Sequence, residues 1–306
     1  MHYLPMYPAD SSGRDRFILD LRGPRPHHDP WQYQDLAIDD EPTERGSIAR
    51  VGTVFLTGRE CPWRCAMCDL WRFTTREDTP PGAIPAQIQA ARAAWQAHGE
   101  AISRLKLYNA SNFFDPRAVP ESDYATIGAA VSGLDQVIVE SHPALVGSRV
   151  DRFRDQLGGI ALEVAMGLET VHPLALDRLN KRMTAGDFAG AADELRRRGV
   201  SLRVFLLVSP PFVPPAEQDT WLLRSVEFAE QCGASVISLI PARGGNGAME
   251  ALTAQHLFQE PTADDVLRSY DLIVASRSVA GHQSPVSSRS VRILIDPWAG
   301  NPRRDG

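Results

Sequence analysis

The chain has 306 residues and a formal charge of −6, from 32 basic and 38 acidic side chains. This balance gives no general attraction to nucleic acid or to an anionic membrane. Hydrophobic residues make up 43% of the chain, but no apolar run is long enough to cross a bilayer, and the first residues lack the basic and then apolar pattern of a signal peptide. We therefore expect one large globular domain without a membrane partner.

The N-terminal extension, residues 1–48, is rich in Pro, Asp, Arg and His. It shows little hydrophobic periodicity, and its prolines interrupt any regular pattern. We expect an extended arm that lies over the main domain.

A buried strand and a cysteine-rich loop follow. Residues 51–57 are apolar and rich in β-branched side chains, which predicts the strand. Directly after it, Cys61, Cys65 and Cys68 bring three of the four cysteines within eight residues. Three thiolates do not complete a tetrahedral zinc site, and an odd cysteine makes a poor disulfide framework. The group suits a [4Fe–4S] cluster with one iron left for another ligand, and a zinc knuckle or a chance grouping is the alternative.

Helices and strands then alternate along the chain. Further strands are predicted at residues 102–108, 136–140, 160–168, 201–208 and 235–240, and helices at residues 85–98, 120–131, 148–157, 187–198 and 217–232. Six βα repeats predict a parallel sheet of the α/β class, as a partial (β/α)6 TIM-like barrel over residues 49–246. The C-terminal extension, residues 247–306, contains two helical stretches and a strand-like run at 291–295, and we expect it to cap the barrel.

Polar side chains gather where the predicted strands end. Asn109 and Ser111 follow the second strand, Glu140 ends the third, and Glu169 follows the fourth. The carboxyl ends of parallel strands meet at one face of a barrel, where cofactors and substrates bind. We therefore expect these side chains to line the barrel mouth.

Two further features supply charge and hydrogen-bond donors. Lys181 follows the fourth strand and Arg203 lies on the fifth. Because two buried carboxylates repel each other unless a cation or hydroxyl groups satisfy them, such cations are needed near Glu140 and Glu169. The glycine-rich stretch at residues 243–247 follows the sixth strand and predicts a loop whose N–H groups cradle a cofactor or a phosphate.

The cysteine spacing resembles the cluster motif of the radical S-adenosylmethionine (SAM) superfamily. Several other segments resemble its Elp3-like branch, and especially the radical SAM subunit of archaeosine synthase. These segments are residues 112–120, 139–143, 162–170, 179–181 and 205–212. The resemblance covers about residues 51–245.

The resemblance implies a partial barrel of the radical SAM type and an enzyme. Cys61, Cys65 and Cys68 are then the ligands of the [4Fe–4S] cluster, and SAM chelates the open iron. Reductive cleavage of SAM would give a 5′-deoxyadenosyl radical that abstracts hydrogen from a substrate. The protein is expected to orient SAM and to exclude water and oxygen.

The resemblance also assigns SAM contacts. Asn109 and Ser111 stand where the superfamily often has Gly-Gly-Glu, whose backbone binds the SAM amino group. Glu140 resembles the acid that contacts the ribose, and Glu169 adds a second carboxylate. Lys181 and its rival Arg203 are the expected partners of the SAM carboxylate.

The branch points to a nucleoside or a modified base as the substrate. The same branch would also suggest tRNA as a substrate, although the acidic net charge of the chain does not favour tRNA binding. The expected partner is an electron donor such as flavodoxin or ferredoxin, and an oxygen-sensitive cluster with free thiols indicates the cytoplasm. Two rival functions stay open. One is transfer of a 3-amino-3-carboxypropyl group from SAM, with release of methylthioadenosine, and the other is a non-catalytic iron–sulfur or zinc-binding protein.

Overall fold

The computed structural model describes residues 6–279 and 291–295. The strands are β1 (Asp35–Pro42), β2 (Ile48–Phe55), β3 (Arg104–Tyr108), β4 (Gln136–Glu140), β5 (Ala161–Glu169), β6 (Ser201–Val208), β7 (Ala234–Pro241) and β8 (Arg292–Ile295). The helices are α1 (Ser11–Asp20), α2 (Ala83–Ala97), α3 (Tyr124–Ala130), α4 (Ser148–Asp155), α5 (Pro173–Arg178), α6 (Ala185–Arg197), α7 (Gln218–Gln231), α8 (Ala248–Ala254) and α9 (Ala263–Val279). Short 3₁₀ helices lie at Leu70–Phe73, Glu121–Asp123, Pro143–Leu145 and Pro215–Glu217.

The eight strands form one sheet in chain order, which curls into a nearly closed barrel. Strands β2 to β8 run parallel, and β1 pairs antiparallel with β2. The two sheet edges approach each other, because Arg292 on β8 donates to the carbonyl of Pro42 at 2.7 Å and to the carboxylate of Glu44 at 2.6 Å. The predicted α/β barrel with six βα repeats is therefore confirmed, and one edge strand is added on each side.

Side chains along the parallel strands alternate between the helices and the barrel interior. On β5, Val164 and Met166 belong to the main apolar core, together with Phe153 on α4. Between them, Ala165 belongs to a separate small cluster with Ile138 of β4. The main core thus holds the helices to the outside of the sheet, and the interior is left for other side chains.

Ion pairs fill the N-terminal half of the barrel interior. Arg203 contacts both carboxylate oxygens of Glu41, at 3.1 and 2.8 Å, and Glu163 at 2.7 Å. Lys106 lies 2.6 Å from Glu41. The side chains of Arg203 and Glu163 are 2% and 0% exposed, so their charges rely on one another rather than on water.

The N-terminal extension is more regular than predicted. The expected extended arm contains a helix and a strand, because α1 and β1 both lie within residues 1–48. Asp10 caps α1 by accepting a hydrogen bond from the backbone N–H of Gly13 at 2.8 Å. Phe17 and Ile18 of α1 then pack in a second apolar cluster, and the buried Arg14 anchors the helix further by donating to the carbonyl and the carboxylate of Asp177 at 2.7 and 2.9 Å.

The C-terminal extension contributes α8, α9 and β8. The strand-like run at residues 291–295 is confirmed as β8, which joins the sheet beside β7. Helices α8 and α1 share the second apolar cluster, which also contains Ala66 of the cysteine loop and has Met67 packed against it. The remaining parts of the two predicted extensions, residues 1–5, 280–290 and 296–306, lie outside the described residues. Among the residues that are described, none of the helices combines the length and apolarity needed to cross a membrane.

Candidate cofactor site at the barrel mouth

The cysteine loop, residues 60–71, follows β2 at the carboxyl end of the strands, and two asparagine side chains hold its backbone. Asn180, after α5, donates to the carbonyl of Arg64 at 2.7 Å. Asn246, in the loop after β7, donates to the carbonyls of Ala66 and Cys68 at 2.8 and 3.3 Å. Sequence reasoning missed both roles. The only local signal for Asn246 is an amide side chain among glycines in a loop that follows a strand.

The three thiols of the loop are largely withdrawn from water. Burial raises the pKa of Cys61, raises that of Cys65 further, and raises that of Cys68 to about 12. Asn112 donates to the sulfur of Cys61 at 3.1 Å. Neutral thiols of this kind lose their protons when iron binds, so the donor set fits a metal cluster. Across the described ranges no three His, Cys, Asp or Glu side chains are arranged to hold a single metal ion, whereas each cysteine of a cluster binds a different iron.

Unpartnered polar atoms lie beside this loop. Both amide atoms of Asn109, the hydroxyl of Ser111 and one carboxylate oxygen of Glu140 are buried without a hydrogen-bond partner in the structure. Burial raises the pKa of Glu140 to about 7, although the backbone amides of residues 109–111 act to lower it. Buried polar groups in proteins are normally satisfied, and exceptions mark functional positions. The set fits a polar ligand that supplies both donors and acceptors.

Backbone strain gathers at the same end of the barrel. Ala110 after β3, Glu169 at the end of β5 and Ser209 after β6 have positive φ angles of 52°, 66° and 54°. Each left-handed residue of this kind costs about 1–3 kcal/mol and occurs most often at ligand sites. The strained backbone is therefore a second indication of a ligand site at the mouth, independent of the unpartnered polar atoms.

Glu169 and Lys181 form a buried ion pair at the mouth. The ammonium of Lys181 lies 2.5 Å from a carboxylate oxygen of Glu169 and 2.5 Å from the carbonyl of Gly167. A Cβ atom on Gly167 would lie 2.1 Å from Glu169 and 2.3 Å from Lys181, so only glycine leaves room for the pair. The charge of Lys181 also acts to lower the pKa of Cys61 and of Glu140, which places it near both.

His142 has both ring nitrogens engaged. Its Nε2 lies 2.9 Å from the carbonyl of Lys181, and its Nδ1 accepts from the N–H of Ala144 at 3.1 Å. Its ring stacks on Trp63 with centroids 3.9 Å apart. Burial lowers the pKa of His142 to about 4, so the ring is neutral near pH 7 and holds the cysteine loop against β4.

Arg203 and the glycine-rich loop do not have the roles that the sequence predicted for them. Arg203 is the third residue of β6 and belongs to the ion-pair network in the other half of the barrel, so the structure does not bring it together with the mouth residues. In the glycine-rich loop, Gly244 donates to Glu260 at 3.0 Å and Gly247 donates to Glu250 at 2.7 Å. The predicted cradle of free N–H groups is therefore wrong, because carboxylates of the chain already occupy them.

We expect replacement of Asn109 by leucine to stabilise the fold while it weakens ligand binding. The variant removes a buried amide without partners and keeps the side-chain volume, which should raise the free energy of unfolding by about 1–3 kcal/mol. SAM affinity, measured by titration of the anaerobic protein, should fall at the same time. Asn246→Leu is the matched control, because its amide is fully bonded and the variant should lose stability. A destabilised Asn109→Leu protein would contradict this interpretation.

Comparison with known proteins adds evidence on ancestry and fold. No family model matches the chain. The chain is 26% identical over 265 residues to archaeosine synthase subunit beta of Methanosarcina acetivorans, which covers 81% of this chain and 74% of that protein. In structure it is similar to Elp3 of Methanocaldococcus infernus, with a TM-score of 0.52 and 11% identity over 70% of this chain and 52% of that one. The chain is therefore similar in sequence to archaeosine synthase subunit beta and similar in fold to Elp3.

A second solved structure shares this fold. Coproporphyrinogen III oxidase (HemN) from Escherichia coli, a radical SAM enzyme, matches with a TM-score of 0.50 and 12% identity over 80% of this chain and 62% of that chain. The chain spans less than two thirds of the length of both solved relatives. The predicted resemblance to the radical SAM superfamily is thus confirmed as a similarity of sequence and of fold.

Proposed function

We propose that the chain is a radical SAM enzyme that holds a [4Fe–4S] cluster on Cys61, Cys65 and Cys68 and binds SAM at the barrel mouth. The observation that carries the proposal is the set of unpartnered buried atoms on Asn109, Ser111 and Glu140. The residue after Ser111, Asn112, contacts the Cys61 sulfur, so this polar set lies directly beside the cysteine loop. When bound together, the cluster and SAM supply a one-electron cleavage of a carbon–sulfur bond in SAM.

Different residues at the mouth bind different parts of SAM. The amide of Asn109 and the hydroxyl of Ser111 bind its amino group, and Glu140 accepts hydrogen bonds from its ribose hydroxyls. Lys181 faces its carboxylate, while Glu169 balances the Lys181 charge and fixes the position of its ammonium. Arg203 has no part in this arrangement, because its hydrogen bonds go to Glu41 and Glu163.

The mouth is also shielded from water. Helices α1 and α8 and the cysteine loop share one apolar cluster, to which Phe17 and Met249 contribute buried side chains. A covered site strengthens every charge interaction inside it and keeps solvent from a reactive centre. The chain therefore supplies orientation and water exclusion, and the cofactors supply the redox chemistry.

A nucleoside or modified base is the substrate class that we propose for the barrel interior. Tyr108 on β3 and Phe205 on β6 make an edge-to-face ring contact with centroids 6.0 Å apart. Aromatic rings are common partners of flat bases. The relative in Methanosarcina acetivorans is named for archaeosine synthesis, which supports the same class. The charge of −6 favours a free nucleoside over tRNA.

The proposed chemistry also needs a reductant. A flavodoxin or ferredoxin would supply the electron, and the cytoplasm provides the reducing conditions that free thiols and the cluster require.

The test is SAM cleavage by the anaerobically reconstituted protein with a strong reductant. We expect 5′-deoxyadenosine as the product, stimulated by deazapurines or nucleosides more than by tRNA. Cys65→Ala should reduce cleavage to background, whereas Cys232→Ala, at the end of α7 and outside the site, should leave it unchanged. Methylthioadenosine as the product would show aminocarboxypropyl transfer instead. Iron uptake without any SAM cleavage would favour a non-catalytic iron–sulfur protein.

A further inference from the structure

We propose that Arg22 and Arg25, in the N-terminal extension, are positioning residues that clamp both ends of the cysteine loop. The inference rests on the proposed function, because it concerns how the chain holds the cluster ligands. We call residues 21–28 the strap. It follows α1 and crosses the cysteine loop at the barrel mouth.

The strap binds the residue that precedes the first cysteine. Arg22 donates to one carboxylate oxygen of Glu60 at 2.7 Å, and Arg25 donates to the other. Arg64 lies 3.3 Å from the same carboxylate and donates to the carbonyl of Cys61 at 2.7 Å. Glu60 therefore links the strap to the start of the loop and to its interior.

The same two arginines hold the other end of the loop. Their guanidinium groups lie 4.8 and 5.8 Å from the ring centroid of Trp71, which is buried and stands three residues after Cys68. Cations over an indole ring are stabilised by its quadrupole. One pair of side chains thus fixes the chain on both sides of the three cysteines.

These contacts are shielded from water. The side chains of Arg22, Arg25 and Glu60 are 8%, 11% and 14% exposed. Surface ion pairs contribute little to stability, but a pair that is largely buried is costly to break. The arginines hold the pKa of Glu60 below its ordinary value although burial acts to raise it.

A second element locks the strap in place. A Cβ atom on Gly247 would lie 1.9 Å from the carbonyl oxygen of Leu21, so the strap passes directly against the loop that follows β7. Asn246 in that loop holds the carbonyls of Ala66 and Cys68. The strap and this loop therefore fix the cysteine loop from two sides.

The test is hydrogen–deuterium exchange of residues 60–71 in the full-length, metal-free protein. The double variant Arg22→Gln/Arg25→Gln should speed exchange of this segment by about tenfold or more, while exchange of β5 stays unchanged. In the reconstituted protein, the same variant should release iron to a chelator about tenfold faster, as expected when groups that orient metal ligands are lost. Arg25→Lys, which keeps the charge without the planar fork, should give a smaller effect.

The matched control is Arg197→Gln/Arg198→Gln, which frees Glu194 on α6, removes the contact of Arg198 with Asp151 on α4 and should change neither readout. Gly247→Ala displaces the strap with both arginines present and should reproduce the faster exchange of residues 60–71. Unchanged exchange of that segment in both test variants, or an equal rise throughout the chain, would overturn the proposal. Failure of the wild-type protein to take up iron would instead refute the proposed function, and the exchange measurement would still decide whether the strap holds the loop.

Discussion

Replacing Arg203 with methionine should lower the free energy of unfolding by about 3–5 kcal/mol, the usual cost of removing one partner from a buried ion pair. Among the residues that the structure describes, the variant leaves Glu163, which is fully buried, with only long contacts to Gln136 and Ser235 at 3.5 and 3.3 Å. Glu41 would keep only Lys106 as a close partner. Urea unfolding of the full-length protein measures the loss.

Two controls test the cause of this loss. Arg203→Met/Glu163→Leu should recover part of the stability, because no unpaired charge remains beside β5. Arg196→Met, which breaks only an exposed pair with Asp193, should cost less than about 1 kcal/mol. Equal losses for Arg203→Met and Arg196→Met would contradict the ion-pair network.

The network also predicts the direction of a pH effect. Arg203 and Lys106 lower the pKa of Glu41 from 4.5 to about 2, against the opposing effect of burial. A carboxyl whose folded pKa is depressed stabilises the protein above its unfolded pKa and loses this contribution as the pH falls toward the folded value. The stability of the wild-type protein should therefore drop between about pH 4.5 and pH 2, and Arg203→Met should show a smaller drop over that window.

The second large effect is expected from Lys181→Met. The variant removes the ammonium that pairs with the buried carboxylate of Glu169 and should cost about 3–5 kcal/mol of stability. It should also weaken SAM binding roughly 10- to 100-fold, the usual range for loss of a charged hydrogen bond. Unfolding of the metal-free protein and SAM titration of the anaerobic reconstituted protein measure the two effects.

The double variant Lys181→Met/Glu169→Leu separates structure from binding. It removes both charges, so stability should return toward that of the wild type. SAM affinity should stay low, because no ammonium remains at the mouth. Recovery of SAM affinity along with stability would show that Lys181 acts only through the fold.

The barrel could be predicted from the sequence because the patterns that indicate its strands and helices are local. Each predicted strand is a short apolar run, and the helix at residues 187–198 ends at Gly199, a residue suited to stop a helix. The structure places α6 at Ala185–Arg197, close to the predicted bounds. Polar residues at strand ends, such as Glu140 and Glu169, lie at the mouth for the same local reason.

What the sequence did not reveal depends on distant partners. β1 contains Asp39, Asp40 and Glu41, which argue against a strand until Lys106 and Arg203 are known to lie opposite. The SAM role predicted for Arg203 rested on its charge and its place on the fifth predicted strand. Its place near the start of β6 was the signal that it lies far from the mouth.

Helices α1 and α8 share an apolar cluster with the cysteine loop but lie far apart in the sequence, and this affects the order of folding. Tyr7, before α1, donates to the side chain of Gln255, after α8, across a sequence separation of 248 residues. Contacts this distant in sequence close late, because the intervening chain must first be ordered. During synthesis the cysteine loop emerges long before α8, so a nascent chain exposes its thiols until the C-terminal region arrives. For the proposed cluster, this order would give iron an early period of open access to the cysteines, which ends when the residues around Tyr7 and Gln255 come together.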